Sequence, residues 1–195
     1  MESLSLQTPR LILRPLRADD LEPFAAMNAD PEVMRFFLAP CSLAETEAMM
    51  DRVDRHQAEH GFGLFAVERP EIAPFIGYIG LLVPAYEVPF APCVEIGWRL
   101  AKAHWGIGLA PEGARAVLEY AFGPLGLAEV VSFTSALNQP SIRVMEKIGM
   151  SRDPQDDFDH PKVPEGHPLR RHVLYRIRSS QQGPCSRQLN PIPGR

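Results

Sequence analysis

Gly106, Gly108 and Ala110 stand between a segment with the period of a strand and one with the period of a helix, an arrangement that makes an anion site out of backbone. Val94, Ile96, Trp98 and Leu100 alternate with Glu95, Gly97 and Arg99, whereas Ala114, Val117, Leu118, Ala121 and Phe122 recur at helical spacing. Pro111 suits a first helical turn, and Gly123 with Pro124 stops the helix. The small residues of the loop His104 to Ala110 leave its backbone uncovered where the first N–H groups of the helix have no internal partner, so a phosphate can be held there. Two well-known phosphate loops do not fit. The third glycine of a dinucleotide fingerprint would fall at Pro111, and the GxxxxG spacing of Gly108 and Gly113 is followed by Ala114 and Arg115 instead of the Lys and Ser or Thr of a nucleotide P-loop. A serine nucleophile elbow, GxSxG, is also missing, and nothing supports cysteine chemistry.

A second group of chemically capable residues is Asp156, Asp157, Asp159, His160, His167 and His172. Their irregular spacing fits no zinc or calcium template, so no metal is expected. As a polar loop the segment needs no ligand; alternatively, its acids attract a cationic amine. Cys41, Cys93 and Cys185 form no CxxC pair and suggest neither a disulfide framework nor a zinc site; Cys93 reads as core.

The elements that must position these residues suit one domain. The chain has 195 residues, 45% hydrophobic and 23% charged, enough for a sizeable core. Twenty basic against 24 acidic residues give a net charge of −4, and without a basic block no nucleic-acid partner is expected. No apolar run is long enough to span a membrane and no signal-peptide pattern opens the chain, so the expected location is cytoplasmic, without membrane partners. Leu11 to Leu16 reads as a strand, and Asp19 and Asp20 are candidate caps for a helix reaching Asn28. Ser42 and Glu45 form a capping box for a helix ending at His60 before Gly61. Strands follow at Gly63 to Glu68 and Phe75 to Val83, then at Ala128 to Thr134 and Arg171 to Arg178. The three prolines in Val83 to Pro92 make that segment a loop, whose Tyr86 and Phe90, with Phe36 and Phe37 between the first two helices, either cover a substrate or pack the loops down. The order suits an α/β (α+β) protein with a central mixed sheet flanked by helices over residues 1–178. Residues 179–195, polar and proline-rich, are expected to be a disordered tail.

Three segments resemble one family, the GCN5-related N-acetyltransferases. The loop is similar to its (Q/R)xxGx(G/A) pyrophosphate motif, with Trp105, Gly108 and Ala110 in those slots; Trp in the first slot departs from the general pattern but resembles the WGxGxA of the RimJ/RimL-type branch. TPRLILRPLR, from Thr8, is similar to that branch's opening strand, and NQPSIRVMEKIGM, from Asn138, to its Asn-xx-Ser…EKxGF segment. The resemblance covers residues 8 to about 178; the predicted element order matches the acetyltransferase fold, and the resemblance implies that the central mixed sheet is mostly antiparallel.

The resemblance implies acetyl-CoA as co-substrate, a primary amine as acceptor, either a protein N-terminal α-amine or a small molecule, and direct attack of the amine on the thioester; it also implies a homodimer. It places pantetheine against the backbone of Trp98, Arg99 and Leu100, and pyrophosphate on Trp105, Gly106, Ile107, Gly108, Leu109 and Ala110. Glu95, the one acid on the strand beside the thioester, is the candidate base; otherwise it is a surface carboxylate. A backbone N–H of Ile96 to Leu100 can serve the developing oxyanion. Met145 occupies the slot where many relatives carry an acidic Tyr, leaving Ser141 beside the sulfur as ligand contact, acid, or merely a helix cap. Asn138 either bonds the pantetheine arm or forms a turn before Pro140, and Arg99 either adds charge or is a solvated face residue. A non-catalytic acyl-CoA sensor or scaffold is the alternative; it differs in predicting binding without amine-dependent CoA release.

Overall fold

The structure, a computed structural model, describes residues 4–179. The tail expected over residues 179–195 therefore lies outside the described residues except for Ser179, whose N–H reaches the Ala128 carbonyl at 3.1 Å. Nine strands form one sheet in the order β1 (Leu6–Gln7), β2 (Ile12–Arg14), β3 (Leu64–Arg69), β4 (Ala73–Leu82), β5 (Glu95–Leu100), β6 (Glu129–Ser135), β9 (Arg171–Arg178) and β7 (Ser151–Arg152), with β8 (Phe158–Asp159) also pairing β9. Every ladder is antiparallel except that of β5 with β6. The sheet is mixed, as its element order predicted, and mostly antiparallel, as the resemblance implied.

Four α-helices among the described residues cover it. Helices α3 (Leu109–Phe122) and α4 (Gln139–Lys147) pack Leu118, Val117, Ala114, Ile142 and Met145 with Ile79, Ile96 and Ile177 of the sheet. On the other face, α1 (Leu21–Ala29) and α2 (Leu43–His60) bring Phe24, Met27 and Val53 against Ala66, Phe75 and Tyr78. The capping box of α2 forms as read: the Glu45 N–H donates to Ser42 Oγ, Glu45 Oε2 accepts the Ser42 N–H at 2.7 Å, and Gly61 closes the helix at φ +76°. Helix α3 begins two residues before Pro111, because Gly108 at φ +84° turns the chain directly into it. Strands β1, β7 and β8 are only two residues long and carry no readable period.

Close approach of α3 to the sheet depends on Gly113. A Cβ there would lie 2.5 Å from Ile79 Cδ1 and 3.4 Å from Leu11 Cδ1. Gly113→Val is therefore expected to lower unfolding free energy by about 1–3 kcal/mol through overpacking, measured by urea titration.

One buried charge network ties β2 to the entry of α1. Arg14, 4% exposed, donates to both carboxylate oxygens of Asp20 at 2.8 Å, to Glu68 at 3.0 Å, and to the carbonyls of Pro15 and Pro74. Asp20 also accepts the Arg17 N–H at 2.8 Å.

Candidate active site

Strand β5 carries the site, and its two faces differ. Ile96 and Leu100 are buried in the core with α3. Glu95, Gly97 and Arg99 lie on the opposite face, cross-strand from Leu82, Gly80 and Tyr78. Strand alternation could not say which face Glu95 takes. In the folded chain it lines a cavity of about 730 Å³, so it is not a surface carboxylate.

The cavity follows from a parting of strands. The β5–β6 ladder consists of the single pair Glu95–Val131, where the Val131 N–H donates to the Val94 carbonyl at 2.9 Å. Backbone groups alternate in direction along a strand, so those of Trp98 point the same way as Val94, toward the gap past the last bridged pair. The Trp98 N–H is thus available to an extended ligand lying in the gap. Gly97 has no atom within 4 Å of where a Cβ would stand, which leaves the floor beside Glu95 open.

Phe36, Phe37, Tyr86, Trp98, Arg99, Leu100, Trp105, Gly106, Gly108, Leu109, Ala110, Asn138 and Ser141 line the cavity with Glu95. Two expected residues do not reach it. Ile107 is exposed, and Phe90 packs against Phe133 and Phe158 at centroid distances of 5.7 and 5.0 Å, holding its loop down. Asp156, Asp157 and Asp159 are also absent from the lining, and each pairs with an arginine: Arg176, Arg152, and Arg170 with Arg171, respectively. Among the described residues no group of three or more His, Cys, Asp or Glu is placed to hold a metal ion.

Glu95 is the one acid among the described lining residues, and it makes no hydrogen bond or ion pair with them. Burial pushes its carboxyl up to about 8. Desolvation disfavours the carboxylate, and no cation among the described residues compensates. Nearby, His160 is pushed down to about 4, chiefly by burial and further by His172 and Lys162, so it is neutral. Its Nδ1 accepts the Lys162 N–H at 3.2 Å, which places the ring proton on Nε2, 2.8 Å from Tyr86 Oη. The Tyr86 hydroxyl accepts that proton's hydrogen bond and keeps its own for the cavity.

The loop is braced from the N-terminal segment. Arg10 donates to the Ile107 carbonyl at 2.9 Å and to Glu112 at 2.7 Å, while Glu112 also accepts from Thr8. Trp105 Nε1 donates to the Leu100 carbonyl at 2.7 Å and pins the loop to the end of β5. Gly106 and Gly108 both hold positive φ, which a side chain would strain. The bare backbone at the start of α3 fits an anionic phosphate. At the start of α4 it is Asn138, not Ser141, that caps the helix, accepting the Ser141 N–H at 3.3 Å. Its Nδ2 donates to Thr134 and, at 3.1 Å, to Ser141 Oγ, so the Ser141 hydroxyl proton is free for a ligand. Met145 is fully buried core.

Residues 10–151 match the family Acetyltransferase (GNAT) domain. The chain belongs to this acetyltransferase family. It is 32% identical to the uncharacterized protein YkkB of Bacillus subtilis over 74% of this chain and 84% of that one. It is 35% identical to the FsC-acetyl coenzyme A-N(2)-transacetylase of Aspergillus fumigatus over 75% of this chain, spanning 65% of that relative's length. In structure it is similar to the acetyltransferase from Agrobacterium tumefaciens, with a TM-score of 0.71 and 30% identity over 91% of this chain and 95% of the other. These likenesses support an acyltransferase.

Sequence reasoning missed Arg10 as the loop's brace and His160 as partner of Tyr86. Arg10 lies in a segment singled out for its strand, and no local pattern says that its side chain reaches a loop 97 residues on.

Proposed function

We propose that this acetyltransferase moves the acetyl group of acetyl-CoA to a primary amine by direct attack, in the manner of the RimJ/RimL-type branch. The observation that carries the reading is Glu95: an unpartnered carboxyl, pushed up to about 8, in the cavity where β5 and β6 part. The amine nitrogen attacks the thioester carbon, its proton passes to Glu95, the Trp98 N–H faces the developing oxyanion, and the C–S bond breaks to release thiolate. Ser141, its hydroxyl proton free, donates a hydrogen bond to that sulfur. Gly106, Gly108 and Ala110 offer backbone to the pyrophosphate. Phe36, Phe37 and Tyr86 border the acceptor.

Proton affinity favours an α-amine. Its pKa of about 7.7–8.0 matches Glu95, whereas a lysine side chain at about 10.4 costs roughly 3 kcal/mol more to deprotonate. The test is free CoA release from acetyl-CoA across short peptides and small amines. Release that requires an added amine is expected; tight acetyl-CoA binding without release across the panel would sink the reading in favour of a binding module. Gly108→Val should raise the Kd for acetyl-CoA about 5- to 30-fold by straining the left-handed turn, as isothermal titration would show.

A further inference from the structure

Among the described residues Arg99 is a cation without an anion. It projects from the same face of β5 as Glu95, four residues on, with the open floor at Gly97 between them. Four rises along a strand separate the two backbones by about 13 Å. The guanidinium lies over the Phe37 ring at 4.1 Å and near Tyr78 at 5.4 Å. Its one hydrogen bond among the described residues is from Nη1 to Asn28 Oδ1 at 2.6 Å, and Nε is buried without a partner. Nη2 makes no hydrogen bond among the described residues and is not among the buried unsatisfied atoms, so it is accessible, and Arg99 lines the cavity.

The chain holds Arg99 in this position deliberately tightly. Thr46 donates to the Ser42 carbonyl, Asn28 Nδ2 donates to Thr46 Oγ1 at 3.1 Å, and Asn28 Oδ1 thereby faces Arg99; Asn28 and Thr46 are both fully buried. A guanidinium stacked on aromatics, anchored by a neutral amide and lacking a carboxylate is costly in a mostly apolar cavity unless a ligand supplies the counter-charge. Cavity acids cannot supply it, since the one acid among the described lining residues is Glu95 at the other end of the strand. Beside Arg99 the rim residues Phe37 and Leu38 are exposed, 46% and 54%, and offer apolar contact.

We propose that Arg99 binds a carboxylate of the acceptor, so that the substrate is an α-amine bearing a carboxylate a few bonds away and an apolar side chain between. This rests on the acetyl-transfer reading for the amine end, while the anion site rests on Arg99 alone. The carboxylate has two sources, the free end of a small peptide-like molecule or an acidic side chain just after a protein N-terminus.

Alanyl-leucine is compared with alanyl-leucinamide, and the amidated tripeptide Ala-Asp-Leu with amidated Ala-Asn-Leu. Both CoA release from acetyl-CoA and equilibrium binding in the presence of CoA are measured. The wild type should favour the carboxylate member of a pair by about 10- to 100-fold, the range of a hydrogen bond to a charged group. Arg99→Met should bring that ratio near one, and Arg99→Lys should retain part of it. Preference confined to the dipeptide pair names a small free carboxylate; preference confined to the tripeptide pair names the acidic side chain. Equal use of acid and amide by the wild type overturns the proposal without need of a variant, as does a preference that survives Arg99→Met. Arg99-dependent carboxylate binding without CoA release would remove the acetyl-transfer reading and leave the anion site standing. No binding and no release for any probe would remove both.

Discussion

Glu95→Gln is expected to lower kcat/KM for acetyl transfer by about 10²- to 10⁴-fold, the worth of a positioned general base, with the acetyl-CoA Kd little changed. The wild-type rate should climb with pH and level off near 8, where Glu95 loses its proton. In the variant the part of that climb due to the carboxyl should vanish, leaving only the titration of the amine. The same substitution should stabilise the fold at alkaline pH. With the folded pKa raised to about 8 and the unfolded one near 4.3, the native state binds more protons between those values, so stability falls as pH rises through that window and then levels off. Gln carries no such term. The variant's Tm should match the wild type's at pH 4 and exceed it at pH 8.5. A pH–rate profile unmoved by the substitution would remove Glu95 as the base. Lost activity with no gain in alkaline stability would show that its carboxyl is not the desolvated group described here.

Asp20→Ala is expected to be the most damaging single change to the fold outside the active site. It would strand the Arg14 guanidinium, 4% exposed, with only Glu68 and two carbonyls as partners. Removing one partner of a buried pair costs about 3–5 kcal/mol, against a total stability of about 5–15 kcal/mol for a domain. Urea titration should show the midpoint falling accordingly. Asp20→Asn, which keeps one acceptor oxygen for Arg14, should lose less. A loss below about 1 kcal/mol for the alanine variant would show that Glu68 and the carbonyls suffice.

Helices were legible where side chain and backbone act on each other locally. Ser42 and Glu45 announce α2 because a capping box needs only residues three apart. The strand-to-loop-to-helix change from Val94 to Phe122 is likewise a change of period, and the structure differs from the reading by two residues at the start of α3. Strands of two residues, β1, β7 and β8, are held by partners far along the chain and have no period to read.

The candidate site divides along the same line. Local sequence determined that Gly106 and Gly108 precede a helix, that Glu95 and Arg99 share one side of a strand, and that Asn138 and Ser141 stand at a helix start, since spacing along one element settles each. Only the tertiary structure decided which side of β5 meets the cavity, because that depends on which helices cover each face of the sheet. It also decided that Phe90 stacks on Phe133 instead of lining the cavity, and that the acids of the Asp156 to Asp159 loop are consumed by arginines. Burial and unpaired charge are properties of what surrounds a residue in space, so the proton held by Glu95 and the open guanidinium of Arg99 come into being only when strands distant in sequence are brought together.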